Sequence, residues 1–293
     1  MNDSMTARVI TRFGADVLIT TPANETIRCT PKRKLEHITC GDYVTWEEHS
    51  QGNATITEIL PRSNVLTRPD FRGKPKNIAA NIDLVIIVIS WRPSPLWDML
   101  DRYLIATELL PAQALIVMNK ADLATDYATA DDLACLAEYE SIGYPLLYAQ
   151  ATEGVGITAI REAIGDKTAI VVGQSGVGKS SLAAKLLPTQ DIRVGEIANT
   201  GEGRHTTTNA MLYTLPKRGF LIDSPGVRDF GLGAVTPEQL RQGYREFQPY
   251  QGQCRFNNCS HTHEPQCAIK TALATQQLPP HRYERYLNLL AGL

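Results

Sequence analysis

Ala169-Ile-Val-Val-Gly-Gln-Ser-Gly-Val-Gly-Lys-Ser-Ser-Leu-Ala-Ala-Lys-Leu-Leu187 is the stretch that decides the fold. It opens on a β-branched apolar run, continues as Gly173 to Ser180, which fits G-x-x-x-x-G-K-[ST], and closes on helix-forming residues. Strand, loop and helix in that order make a phosphate cradle. The glycines let successive backbone N–H groups turn toward an anion, Lys179 neutralises the outer phosphates, and the Ser180 hydroxyl is offered to a magnesium ion. Gly173, Gln174, Ser175, Gly176, Val177, Gly178, Lys179, Ser180 and Ser181 are therefore assigned to a nucleotide. Lys179 also acts catalytically, by stabilising phosphate charge. A chance glycine-rich turn would lack the flanking strand and helix.

Outward from this loop, unbroken apolar runs at 84–89, 114–118, 146–148, 169–172 and 220–222 alternate with amphipathic stretches at 96–110 and 133–139. Strands buried on both faces need such runs, and the amphipathic stretches supply crossover helices, so an α/β domain is predicted. Asn119-Lys-Ala-Asp122 follows one of the runs, where a loop at a strand's carboxyl end projects into a ligand crevice. In the N-K-x-D reading, Asp122 accepts from the ring N–H and exocyclic amine of guanine, Asn119 faces the opposite edge and Lys120 packs along the loop. Adenine would leave the carboxylate unpaired, a mismatch worth roughly ten-thousandfold. Asp223-Ser-Pro-Gly226, after the run 220–222, resembles D-x-x-G, with Asp223 supporting magnesium and the Gly226 N–H meeting the γ-phosphate. The polar segment 201–208 reads as a switch loop or a plain solvated loop. A threonine of 206–208, with Thr207 as the nominee, would ligate magnesium. N-K-x-D ordinarily follows the phosphate loop, and here it precedes it. A circular permutation preserves the sheet, and makes the third segment an anchor for the new carboxyl end.

The whole chain has 293 residues, enough for two or three compact units. With 43% hydrophobic and 20% charged residues it is neither fibrous nor broadly disordered. No apolar run approaches the roughly 20 residues of a membrane span, and the first residues lack a leader pattern. A soluble, cytoplasmic monomer is expected, without disulfides. Short alternating runs at 8–12, 16–20, 43–46 and 54–59 suggest an OB-like barrel, with an SH3-like barrel as the runner-up. Beyond residue 233 the pattern is helical around Cys254, Cys259, His261 and Cys267. Three thiolates and an imidazole fit a closed structural zinc site; His263 is a rival ligand, and a redox thiol pair is an alternative. Cys29, Cys40 and Cys135 read as ordinary core cysteines.

The succession N-K-A-D, G-Q-S-G-V-G-K-S-S, G-R-H-T-T-T, D-S-P-G-V-R and C-R-F-N-N-C-S-H-T-H-E-P-Q-C, with 65–69 (V-L-T-R-P) and 79–83 (A-A-N-I-D), resembles the RsgA (YjeQ) family of circularly permuted, small-subunit-dependent GTPases. The resemblance covers nearly the whole chain. It implies a multidomain α/β protein: an OB-like RNA-binding barrel at 1–68, a permuted P-loop G domain at 69–232 and a helical zinc domain at 233–293. It also implies GTP hydrolysis to GDP and phosphate, late maturation of the small ribosomal subunit, and nucleotide-dependent docking on ribosomal RNA. Two departures stand out. Gln150-Ala151-Thr152 replaces the usual guanine-supporting S-A-K-like loop, so only its backbone is expected at the base. Val227 stands where many GTPases carry the water-orienting glutamine, an apolar replacement that the family shares, so intrinsic hydrolysis should be slow. His205 is the candidate to position the water.

The formal charge of −2 excludes a uniformly basic coat but not local basic faces. Three clusters are candidate RNA contacts: Arg62, Arg68, Arg72, Lys74 and Lys76; Arg28, Lys32, Arg33 and Lys34; and Arg255, Lys270, Arg282 and Arg285 with Tyr283 and Tyr286. A switch protein with incidental hydrolysis is the alternative function, and Asn119 to Asp122 disfavours a P-loop ATPase.

Overall fold

The computed structural model describes residues 5–35, 37–49, 53–69, 74–187, 210–216, 218–223 and 235–293. β1 (Met5–Phe13), β2 (Asp16–Thr20), β3 (Thr26–Pro31), β4 (Tyr43–Glu48) and β5 (Ala54–Ile59) close a barrel in the order β1-β2-β3-β5-β4. β3 pairs parallel to β5 and the other neighbours pair antiparallel. This is the OB-like alternative. Alternate residues turn inward, so Val9, Val17, Ile19, Val44, Trp46 and Ile56 fill the interior. The run missed in the sequence is β3, which buries a single side chain, Cys29, and so has little apolar alternation to read.

β6 (Val65–Pro69) and β7 (Pro75–Ala80) form an antiparallel hairpin between barrel and sheet. A division after residue 68 would cut a paired strand, so the barrel's limit lies before this hairpin. Asn81 ties the units together. Its Oδ1 accepts from the Ser63 N–H (2.9 Å) and its Nδ2 donates to the Gly41 carbonyl (3.0 Å). Arg8, buried at the joint, lies 4.6 Å from the ring centroids of Tyr43 in the barrel and Phe220 in the sheet, and donates to the Asn81 carbonyl.

The sheet contains β8 (Leu84–Ser90), β9 (Gln113–Asn119), β10 (Leu146–Ala149), β11 (Thr168–Val172), β12 (Met211–Thr214) and β13 (Phe220–Asp223), in the order β10-β9-β8-β11-β13-β12. All pairs are parallel except β12 with β13. Both faces are covered, which is why β8 is buried along its whole length. On one face Val85, Ile87 and Ile89 meet α1 (Trp97–Leu109) and α3 (Ala130–Ile142) through Leu104, Leu136 and Tyr139. On the other, Leu84, Ile86 and Val88 meet α4 (Ile157–Ile164) and α5 (Lys179–Leu186) through Ile160 and Leu182. α2 (Ala124–Tyr127) is a single turn.

α6 (Pro237–Gln242), α7 (Ala268–Ala274) and α8 (Pro280–Ala291) follow the sheet. Their core of Leu240, Tyr244, Phe247 and Tyr286 takes in Ile105 of α1. Gly243 is needed there, since a Cβ at that position would lie 2.3 Å from the Ile105 Cγ2. Beside it, Asp101 of α1 is fully buried and paired with Arg282 and Arg285 of α8, while Arg282 also grips Glu246 (Nε to Oε1, 2.7 Å). The expected anchor for the end of the G domain is this clasp. The same contacts correct the third RNA cluster: Arg282, Arg285, Tyr283 and Tyr286 are all buried. Arg62 is likewise engaged, with Nε 2.6 Å and Nη2 2.8 Å from the two oxygens of buried Asp42. Among the described residues, no helix is long and apolar enough to cross a membrane.

Candidate functional site

Because β8, β9, β10, β11 and β13 are parallel, their carboxyl ends share one edge of the sheet. The chain leaves β8 toward β9 and leaves β11 toward β13, on opposite sides. The crevice between their ends is therefore a topological switch point, where open α/β sheets bind ligands. The loop 173–178 fills that position and runs into the first turn of α5. Gly173 adopts φ +140° with the Val88 carbonyl oxygen 2.2 Å from where a Cβ would stand, so only glycine lets the loop leave the strand so close to β8. Gly178 adopts φ +98°, and a Cβ there would lie 2.2 Å from Asn119 Nδ2. Lys179 Nζ donates to the carbonyls of Gly173 (2.7 Å) and Gln174 (2.6 Å), which holds the ammonium across the loop. Ser180 and Ser181 are exposed in the opening turn of α5.

Asn119 ends β9 and is buried. Its Nδ2 donates to the Val177 carbonyl (2.8 Å), and its Oδ1 accepts from the Ala151 N–H (3.0 Å). The side chain expected at the guanine edge thus bridges the phosphate loop and the loop after β10. The Ala151 N–H, expected at the base, is engaged by that bridge. Lys120, in the left-handed region at φ 55°, extends Nζ to the carbonyls of Arg92 (2.7 Å) and Gly176 (2.8 Å). Three loops are thereby strapped into one rim. Asp122 lies in the turn Ala121–Leu123, exposed and without a hydrogen-bond partner among the described residues. Its carboxylate is open to the ring N–H and amine of a base.

The loop after β8 is a member of the rim that sequence reading missed. Arg92 supplies the carbonyl for Lys120 and lays its guanidinium over the Tyr127 ring, 5.0 Å from the centroid. The available signal was position alone, at the carboxyl end of a buried run. Asp223 is the last residue of β13, opposite Met211 on β12. His205, Thr207, Gly226 and Val227 lie outside the described residues.

In the third unit, the donor atoms of Cys254, Cys259, His261 and Cys267 lie within 4.8 Å of one another. His261 Nδ1 is 3.6 Å from Cys254 Sγ and 3.4 Å from Cys267 Sγ, and those two sulfurs are 3.9 Å apart. Ligands about 2.0–2.3 Å from a tetrahedral ion stand at such separations, so the set can hold a metal ion. Burial pushes the Cys259 and Cys267 thiols above their ordinary range, so thiolates there call for a cation. Burial first, then the charge of Arg241, lowers His261, favouring the neutral imidazole that binds metals. The rival His263 is turned toward Thr262 Oγ1 (2.8 Å) and is absent from the cluster. Tyr283 and Tyr286 of α8 donate to the carbonyls of His261 and Ser260 (2.7 Å each), holding the ligand loop in place. Glu264 accepts from Ser260 N–H (2.7 Å), Ser260 Oγ (2.6 Å) and Thr262 N–H (3.0 Å). Burial opposes ionisation, but those bonds hold its carboxyl down at about 2.

The family model for the RsgA GTPase matches residues 59–233. A Pseudomonas aeruginosa protein, "Small ribosomal subunit biogenesis GTPase RsgA", is 42% identical over 100% of this chain and 87% of its own length. This chain belongs to the RsgA GTPase family. A second relative, RsgA 1 of Vibrio vulnificus, is 42% identical over 100% of this chain and 85% of its own. Among solved structures, YjeQ from Thermotoga maritima superposes with a TM-score of 0.80 at 29% identity, covering 99% of this chain and 98% of that one. YloQ, described as a circularly permuted GTPase, gives 0.81 at 25% identity, with 99% and 94% covered. The RsgA family explains the order of the motifs: N-K-A-D and the phosphate loop meet at one sheet edge although their sequence order is reversed.

Proposed function

We propose that the chain is a GTPase of small-subunit biogenesis that hydrolyses GTP to GDP and phosphate and is stimulated by the small ribosomal subunit. The observation that carries the reading is the strapped rim, in which Asn119 and Lys120 fix the phosphate loop against the turn that presents Asp122. Phosphates would lie on the N–H groups of the loop at the head of α5, with Lys179 neutralising their charge. Magnesium would be held by Ser180, Asp223 and a switch threonine, Thr207, and supplies charge stabilisation at the phosphates when bound. His205 would position the attacking water once the subunit orders its loop, because Val227 cannot. Cys254, Cys259, His261 and Cys267 would hold one structural zinc ion.

Docking on ribosomal RNA, in the cytoplasm and as a monomer, would use the barrel side. A cleft of about 730 Å³ between barrel and hairpin is lined by Arg12, His37, Lys74 and Lys76, and Lys32, Arg33 and Lys34 are exposed nearby in sequence. The guanine assignment is tested by Asp122→Asn. Losing two charge-assisted hydrogen bonds weakens GTP by about 3 kcal/mol, roughly a hundredfold, and xanthosine triphosphate becomes the better ligand; an unchanged preference contradicts the assignment.

A further inference from the structure

One cluster of metal-ligating side chains shares no residue with the Cys254 set. Asp131, Cys135 and Glu138 recur at i, i+4 and i+7, so they form a single face of α3, and His281 at the start of α8 packs onto it. We propose that Asp131, Cys135 and His281 form a second metal site, for a borderline transition-metal ion of the zinc class.

Their donor atoms lie within 4.8 Å of one another. His281 Nε2 stands 3.5 Å from Asp131 Oδ1, the separation of two ligands each about 2.0–2.2 Å from one tetrahedral ion. The other ring nitrogen is already committed: Nδ1 is 2.8 Å from Glu138 Oε1. With Nδ1 as the donor, Nε2 keeps its lone pair, and a carboxylate on the far nitrogen is the partner that metal-bound imidazoles use to fix tautomer and orientation. Glu138 Oε2 makes no hydrogen bond and faces Arg285 Nη2 at 3.9 Å, and Cys135 is buried with Arg285 Nη1 3.9 Å from its sulfur. Asp101 is divided between Arg282 and Arg285, so the Arg285 guanidinium keeps positive charge beside the sulfur and can support a thiolate. A histidine-carboxylate staple alone would explain Nδ1 but not the Asp131 carboxylate standing 3.5 Å from the other ring nitrogen. Thiolate, two carboxylates and imidazole together favour a dication. Asp131 is 77% exposed, which gives the ion a path from solvent and leaves room for water as a fourth ligand. The ion would pin α8 to α3, closing the clasp on the G domain.

Co²⁺ titration of the full chain, purified with its Cys254 set loaded, tests the site through thiolate-to-cobalt charge-transfer absorption. The expected result is a saturable band that disappears in Cys135→Ser, needs at least about tenfold more Co²⁺ in Asp131→Asn and is weakened about 10- to 100-fold in Glu138→Gln. Asp131→Asn alters an exposed side chain and leaves the fold intact. A band missing from the unsubstituted chain, unchanged in Cys135→Ser, or titrating normally in Asp131→Asn overturns the proposal.

Discussion

Asn119 shows how a residue can be legible as a type while its partners are not. The tetrapeptide gave its place at a strand end, but nothing in four letters reveals that both ends of the amide are taken by Val177 and Ala151. Those partners come from loops distant in sequence and become neighbours only when β9, β10 and β11 align their ends. Asn119→Ala leaves a buried carbonyl and a buried N–H unpaired, a cost of about 1–3 kcal/mol each at most. The thermal midpoint should fall even without nucleotide, and GTP affinity should fall with it; a variant that loses affinity with no change in stability would restore a direct base contact. Glu264 offers a pH test. Its carboxyl is lowered from 4.5 to about 2, so its stabilisation is complete above about 4.5 and is lost as pH falls through about 2. The stability difference between the unsubstituted chain and Glu264→Gln should be full at neutral pH and shrink across that window. A difference independent of pH would contradict the bonded carboxylate.

Among elements, those with strong periodicity or unbroken apolar runs were readable, and those whose burial depends on a neighbour were not. β8 declares itself through seven buried residues. β12 is a short antiparallel edge that exists because β13 lies beside it, and sequence reading passed over it. α8 was misread for a related reason. Its arginines and tyrosines look like an RNA-binding set until Asp101, Glu246 and the carbonyls of Ser260 and His261 are found facing them. Arg282→Met would leave buried Glu246 without its guanidinium and Asp101 with Arg285 alone, at a cost of about 3–5 kcal/mol, because breaking a buried ion pair is far costlier than never having one. RNA affinity should then fall only in step with the folded fraction. Substituting Lys74 and Lys76 should do the opposite, leaving stability unchanged while reducing RNA affinity and the salt slope by nearly one unit per lost phosphate contact. Melting curves paired with salt-dependent RNA binding separate the two.

At the scale of the molecule, permutation and clasp belong to one argument. Cutting the G domain ahead of N-K-A-D leaves β12 and β13 at its carboxyl end, and α6 and α8 return that end to α1 and α3. The motif order and the Cys/His spacing were legible because each is a local string with fixed chemistry. The clasp was not, since it depends on side chains 181 and 184 positions apart in the sequence. The barrel joins the same body through Arg8 and Asn81, so the phosphate loop, a basic cleft and the clasp of α1 and α8 are held in one frame. The central claim is that this frame couples GTP hydrolysis to the small ribosomal subunit, and GTP turnover with and without purified small subunits tests it most directly. Slow turnover alone and at least about tenfold faster turnover with subunits is the expected result; turnover that is the same in both conditions would contradict the account.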